Sequence, residues 1–420
     1  MTCKPGNGER GRRGRKVGKT VANQLCVLAY SGGLDTSALI PYLKETHGYD
    51  VIAALVDVGR NHDLPELKNR ALAAGAVEAV IIDAKEEFVQ HFVLPALQAN
   101  TLYEDKYPLV AALSRPLITK KIVDLAHERG ARVVAHGCTA KGNDQVRFDV
   151  SFRCLDPSLT ILGPAREWGM NREEILDYCS ARGINVPLTK KNPFSIDENL
   201  WGRTIECGEL EDAWAPVPEA AFTETVNPKD APDEPQEVVV SFEKGVPVAI
   251  DEQAYPLLEI IERMDKIAGA HGYGRVDMIE NRLVGIKSRE IYEVPGALAL
   301  IMAHRDLEEL VMTRDLLRYK AGVDQRMADM TYDAQWFSPL ADALRAFVAD
   351  TQKWVTGDVR LSLFKGNCTV VGRRSPYSLY VEELATYGGG DQFSHDAAVG
   401  FIRLWGLPME VAARRAQGML

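Results

Sequence analysis

No stretch of the 420 residues approaches the ~18–20 consecutive apolar residues that a membrane helix needs. No continuous apolar segment follows the basic residues at the N-terminus, so that end does not read as a secretory leader. Cysteine is sparse: Cys3, Cys26, Cys138, Cys154, Cys179, Cys207 and Cys368 form no C-x-x-C pair and no disulfide-like cluster. That excludes a disulfide scaffold, argues against a structural zinc site, and fits a reducing cytoplasm. Positive charge is in deficit, with 49 Lys and Arg against 59 Asp and Glu, a net charge of −10. The first 20 residues hold seven of those bases, with one Glu and five Gly, and without them 42 basic residues face 58 acidic ones. An acidic body lacks the surface that a phosphate backbone requires, so no nucleic-acid partner is expected. Residues 1–23 read as a basic disordered tail. For the rest, 46% hydrophobic and 26% charged residues exclude disorder, and the length suggests two or three domains.

Short apolar runs alternate with helical stretches through the first half. LCVLAY (25–30), VIAALVDV (51–58), VEAVII (77–82) and ARVVAH (131–136) have the Val, Ile and Ala content of buried parallel strands. Between them, Asp63 with Glu66 and Asn171 with Glu174 carry capping-box spacing, with Gly75 and Gly183 as stops. Ser114, with Pro116 behind it, predicts the start of a helix running to Glu128. Such alternation predicts an α/β fold: a doubly wound parallel sheet with right-handed crossovers and helices on both faces.

After about residue 185 the pattern changes to a mixed α+β domain. Residues 216–235 carry five Pro and five acidic residues, which predicts an exposed loop. Hairpins are expected for EVVVSF with VPVAI, for VDMIE with LVGIK around Asn281–Arg282, and for RLSLF with TVVGRR. Helices are expected over Pro256 to Ala270, over 296–320, and over Ala397 to Gln417, the last placed to dock on another subunit. No internal repeat is present.

Two motifs carry chemistry. The first, Tyr30-Ser31-Gly32-Gly33-Leu34-Asp35-Thr36-Ser37, follows the first strand and opens a helix. Two glycines allow close backbone approach, Ser31, Thr36 and Ser37 add hydroxyls, and the helix start supplies free N–H groups, which together suit an anion. It is neither a Walker loop nor a dinucleotide fingerprint, and no lysine follows to grip a terminal phosphate. A pyrophosphate that leaves whole fits it best. The second motif, His136-Gly137-Cys138-Thr139-Ala140-Lys141-Gly142-Asn143-Asp144-Gln145-Val146-Arg147-Phe148, follows the ARVVAH strand. Its acidic and basic side chains close together suit an amino-acid zwitterion, with Asp for the ammonium and Arg or Thr for the carboxylate.

The first motif resembles the PP-loop of the ATP pyrophosphatases. Taken with HGCTAKGNDQVRF, KNPFSIDENLWGR (191–203), GYGRVDMIENRLVGIKSREIYE (272–293) and RRSPYSLY (373–380), it resembles the argininosuccinate synthase family from about Leu25 to the C-terminal helix. The resemblance implies a ligase that joins L-citrulline to L-aspartate through citrullyl-AMP, releasing AMP and pyrophosphate. It implies that Ala29, Tyr30, Ser31, Gly32, Gly33, Leu34, Asp35, Thr36, Ser37, Val56 and Gly137 bind ATP. Thr139, Asn143 and Asp144 would bind aspartate. Citrulline would meet Tyr107, Asn143, Arg147, Ser195, Thr204, Glu280 and Tyr292, with Glu280 at a strand-to-strand turn. Magnesium is expected with the ATP, because a site with few cations must shield a polyanion. The resemblance further implies a homotetramer in the cytoplasm, without a membrane partner, serving arginine biosynthesis or the urea cycle. The domains expected are a nucleotide-binding domain at 24–188, a synthetase and multimerisation domain at 189–385, and the oligomerisation helix within 386–420. No general base stands out. Another PP-loop adenylating enzyme, for tRNA thiolation or linked to an amidotransferase, or a catalytically decayed binding homologue are the alternatives.

Two departures from the family pattern stand out. Ala140 replaces a usual Gly, and a left-handed backbone there would strain the loop by ~1 kcal/mol. After Tyr107 the run Pro108-Leu109-Val110-Ala111-Ala112 lacks the usual hydroxyl, a loss of about 0.5–1.5 kcal/mol if one citrulline hydrogen bond is missing.

Overall fold

A computed structural model of the chain describes residues 24–60, 63–184 and 194–420. The expected basic tail, the residues Lys191–Pro193 of one motif and the boundary at 188 lie outside the described residues. The first half is built on a five-stranded parallel sheet, β1 (Leu25–Ala29), β2 (Asp50–Asp57), β3 (Glu78–Asp83), β4 (Val133–Ala135) and β5 (Thr160–Leu162), in the order β3-β2-β1-β4-β5. Alternate residues of β1 feed two cores, which is why its run is apolar throughout. Cys26 and Leu28 pack with Leu39 and Leu43 from the helix Leu34–His47 and with Ile175. Val27 and Ala29 pack with Ile122, Ala126, Phe148 and Phe152 on the other face. Helices therefore cover both faces, as the alternating pattern predicts. The strand order reverses between β1 and β4, where an open α/β sheet leaves a crevice at its carboxyl ends. The two motifs leave from those two strands.

The second half holds two antiparallel sheets. One has the order β11-β12-β7-β6, with β6 (Ser195–Asn199), β7 (Gly202–Glu206), β11 (Arg275–Asn281) and β12 (Lys287–Glu293). The other, β10-β9-β8-β13-β14, contains the expected hairpins β8 (Gln236–Glu243) with β9 (Val246–Ile250) and β13 (Gly357–Phe364) with β14 (Asn367–Arg374), and the short edge strand β10 (Gln253–Ala254). Helices Leu257–Ala270 and Pro295–Val311 bury their apolar faces in one large core with this sheet and with Trp201.

Several sequence expectations are corrected. The helix predicted from Ser114 begins at Val110 and runs to Arg129. Its start follows Leu109 in the left-handed region (φ 67°), while Ser114 sits in the first turns and donates to the Ala111 carbonyl. The stretch 296–320 is two helices, Pro295–Val311 and Arg314–Tyr332, separated where Met312 and Thr313 turn extended. The segment LVGIK is mostly the turn before β12. Glu280 therefore lies within β11, opposite Ser288 and buried, instead of at a turn. The proline-rich 216–235 is a loop with one short 3-10 turn, yet Ala221, Thr225 and Ala231 are buried, because the backbone N–H groups of Thr223, Glu224 and Thr225 donate to the buried carboxylate of Glu293. Ala140 is not in the left-handed region, so the anticipated strain is absent. The terminal helix His395–Ala416 has no buried residue.

Candidate functional site

The turn after β1 is held ready by its own side chains. Gly32 has φ 78°, and a Cβ there would sit 2.4 Å from the Leu67 side chain. Arg70 donates from Nη1 to the Gly32 carbonyl at 2.9 Å, fixing the turn from outside. Ser31 Oγ and Thr36 Oγ1 lie 3.1 Å apart, and Tyr30 and Ser37 pair their hydroxyls at 3.1 Å. Gly33 caps the following helix with no side-chain hydrogen bond, and a helix start of this kind offers first-turn N–H groups to an anion. Burial pushes the Asp35 carboxyl up, with Arg172 opposing. Gly137, arriving from the neighbouring β4, comes so near that a Cβ would be 2.8 Å from Thr36 Cγ2.

Most of this turn, with Gly137, lines a cavity of about 250 Å³. Of the expected nucleotide residues, Ala29, Tyr30, Ser31, Gly33, Asp35, Thr36, Val56 and Gly137 line it, while Gly32, Leu34 and Ser37 are not among its lining residues. A second cavity, about 200 Å³, is lined by Tyr107, Thr139, Asn143, Asp144, Arg147, Thr204, Glu280 and Tyr292. Ser195 is not among its lining residues and is exposed at the start of β6. Asn143 is clamped on both sides, accepting from Leu283 N at 2.9 Å and donating to the Tyr332 hydroxyl at 2.7 Å. Glu280 accepts from the hydroxyls of Tyr292 and Tyr332. Burial pushes its carboxyl up, and those two hydroxyls and Arg147 restrain the shift. The ring of Tyr107 stacks on Tyr292 at 4.2 Å, and its hydroxyl accepts from Ala111 N at 2.9 Å. Arg147 is buried, with Nη1 on Asp144 at 2.9 Å, while its Nη2 has no hydrogen-bond partner among the described residues. Its guanidinium lies over the Tyr332 ring, 4.9 Å from the centroid, and gives the second cavity a positive wall.

The two cavities share Cys138, Asp144 and Asp197. Arg115 lies at this seam, donating from Nε to Asp144 Oδ2 at 2.8 Å and from Nη2 to Asp197 Oδ2 at 2.5 Å. Burial lifts the Asp144 carboxyl, but Arg115 and Arg147 outweigh it and hold it at about 2. Asp144 is thus a fixed anion between two arginines. Sequence reasoning missed Arg115, Asp197 and Tyr332. The first lies inside a helix whose start was misplaced, the second inside a motif quoted for other residues, and the third at the end of a helix far along the chain. It also missed Arg282, which donates to Glu206 and Glu290, both at 2.5 Å, and to the Lys141 carbonyl at 3.3 Å, pinning the second motif's loop to the antiparallel sheet.

Comparison with known proteins places both halves of the chain in one family. Residues 25–185 match the family model described as the arginosuccinate synthase N-terminal HUP domain, and residues 194–412 match that family's C-terminal domain. The argininosuccinate synthase of Halalkalibacterium halodurans is 56% identical over 385 residues, covering 92% of this chain and 94% of that protein. That of Brevibacillus brevis is 53% identical over 400 residues (95% and 96%), and that of Bacillus subtilis 54% over 385 residues (92% and 95%). With both halves matched and relatives this similar, the chain belongs to the argininosuccinate synthase family of enzymes.

Proposed function

We propose that this enzyme ligates L-citrulline and L-aspartate at the expense of ATP, forming argininosuccinate, AMP and pyrophosphate through citrullyl-AMP. The observation that carries the reading is the seam. A cavity headed by an anion-binding glycine turn meets a cavity built for a zwitterion, and Asp144 and Asp197 line both. An α-phosphate and a substrate oxygen can therefore meet there without either ligand crossing solvent.

The turn from Ser31 to Thr36 receives the β- and γ-phosphates, whose bond to each other survives, so no lysine is needed at the γ-position. Citrulline lies in the second cavity with its α-ammonium on Glu280 and its carboxylate toward the Arg147 guanidinium. Its ureido oxygen attacks the α-phosphorus, and pyrophosphate departs toward the turn. Aspartate is held by Thr139, Asn143 and the Asp144–Arg115 pair, and its amine displaces AMP. Magnesium belongs to the substrate, MgATP. Among the described residues no group of three His, Cys, Asp or Glu is placed to hold a metal. The missing hydroxyl after Tyr107 weakens citrulline binding without touching the reacting atoms.

The domain division at 24–188, 189–385 and 386–420, a homotetramer joined through the terminal helix, and work in the cytoplasm on arginine synthesis or nitrogen disposal complete the proposal. Among the described residues no helix is long and apolar enough to cross a membrane. The test mixes the protein with MgATP, citrulline and aspartate and follows pyrophosphate. Release that needs citrulline supports the ligase. No release at saturating citrulline favours the decayed homologue, and release that requires tRNA favours another PP-loop enzyme.

A further inference from the structure

Ligation leaves one proton without a destination. The incoming amino acid arrives as an ammonium and must become an amine before its nitrogen attacks. The seam offers two carboxylates on one arginine, and they are not equivalent. Asp144 has both oxygens occupied, Oδ2 by Arg115 at 2.8 Å and Oδ1 by Arg147 at 2.9 Å. Asp197, on β6, has Oδ2 on Arg115 at 2.5 Å, and among the described residues no donor reaches its Oδ1. Its side chain is 37% exposed and lines both cavities.

We propose that Asp197 is the proton acceptor for the attacking α-amine, with Asp144 beside it as the fixed anion. This rests on the ligation reading above. The groups facing Asp197 are Arg115 from the helix Val110–Arg129, Asp144 and Arg147 from the helix Asp144–Leu155, and the Cys138 thiol, which burial keeps protonated. Burial raises the Asp197 carboxyl, Arg115 opposes, and Asp144 adds to the rise. Two neighbouring carboxylates of split basicity give one site a permanent charge and a working base. In the step, the ammonium gives one proton to Asp197 Oδ1 and the freed nitrogen pair forms a bond to the ureido carbon. The bond from that carbon to the adenylyl oxygen then breaks, with its electron pair leaving on AMP. The second amine proton passes to the departing phosphate oxygen.

The variant Asp197→Asn keeps the shape and the acceptor for Arg115. Two readouts separate the half-reactions: positional isotope exchange in ATP with citrulline alone, and complete turnover with aspartate. Exchange should stay within about threefold of the parent while kcat with aspartate falls ~100- to 10,000-fold. The lost rate should return as pH rises toward the amine's own ionisation, and Asp197→Glu should keep turnover within about tenfold. Equal losses in both readouts, or unchanged turnover, would overturn the assignment. A parent enzyme without citrulline-dependent exchange would overturn the ligation reading itself, before any variant is made, and Asp197's role with it.

Discussion

The side-chain amide of Asn143 donates to the hydroxyl of Tyr332 across 2.7 Å, joining a loop of the parallel-sheet half to the end of a helix 189 residues later. That hydroxyl in turn donates to Glu280, and the Tyr332 ring stacks on Tyr103 at 3.6 Å. The second cavity is therefore walled by both halves of the chain, and one phenol ties Asn143 to Glu280 across them.

Removing that hydroxyl should separate the two substrates' behaviour. Tyr332→Phe keeps the stack but leaves Asn143 and Glu280 each short of a partner, a loss of about 1–3 kcal/mol. The KM for citrulline should rise roughly 10- to 100-fold, while ATP affinity by calorimetry stays unchanged. An equal loss for both ligands would contradict the two-cavity reading.

Asp144→Ala should abolish aspartate use while leaving ATP binding nearly intact, as steady-state kinetics and calorimetry would show. It should also destabilise the fold, because Arg115 and Arg147 lose their shared anion. With its carboxyl held at about 2, below the ordinary value, Asp144 contributes stability that is fully present above about pH 4 and fades as pH falls toward 2. The contribution is on the order of 2 kcal/mol. Urea midpoints of the parent and Asp144→Asn should differ most at neutral pH and converge in acid.

Gly137→Ala tests the contact between the two motifs. Its Cβ would stand 2.8 Å from Thr36 Cγ2, pushing the β1 turn out of place. ATP affinity should fall about tenfold, equivalent to ~1.4 kcal/mol, with little change in the KM for aspartate.

The terminal helix makes a different kind of prediction. Phe401, Ile402, Leu404 and Trp405 are each more than half exposed on a helix with no buried residue. A contiguous apolar face of that kind marks an interaction site, and the proposed homotetramer would cover it. Deleting residues 395–420 should lower the particle mass by light scattering while leaving the far-UV signal of the remainder in place. An unchanged mass would refute the docking role.

The parallel sheet was legible because its central strands β1 and β2 are buried on both faces and read as unbroken apolar runs, whereas the short edge strand β5, with Thr160 exposed, carries no such run. The glycine turn was legible because only glycine takes the backbone of Gly32. The helix Val110–Arg129 was misread at its start because Ser114 and Pro116 imitate a cap and first turn, while the true start depends on Leu109 adopting a left-handed backbone. The helix Pro339–Thr351 was passed over, although Ser338 caps it and Pro339 opens it. Arg115 and Tyr332 had no local signal. Their importance comes from tertiary contacts made 29 residues or more away in sequence. The resemblance gives Glu280 to citrulline and the sequence pattern puts it at a turn; it lines the second cavity from within β11, because the turn begins two residues later.

The chemistry at the seam is tested most directly by following one oxygen atom. Citrulline labelled with ¹⁸O in its ureido group should deliver that label to the phosphate of AMP, with none in pyrophosphate, because in the proposed reaction the ureido oxygen captures the adenylyl group while the glycine turn holds the departing diphosphate. Label appearing in pyrophosphate, or lost to water with unlabelled AMP, would contradict the account.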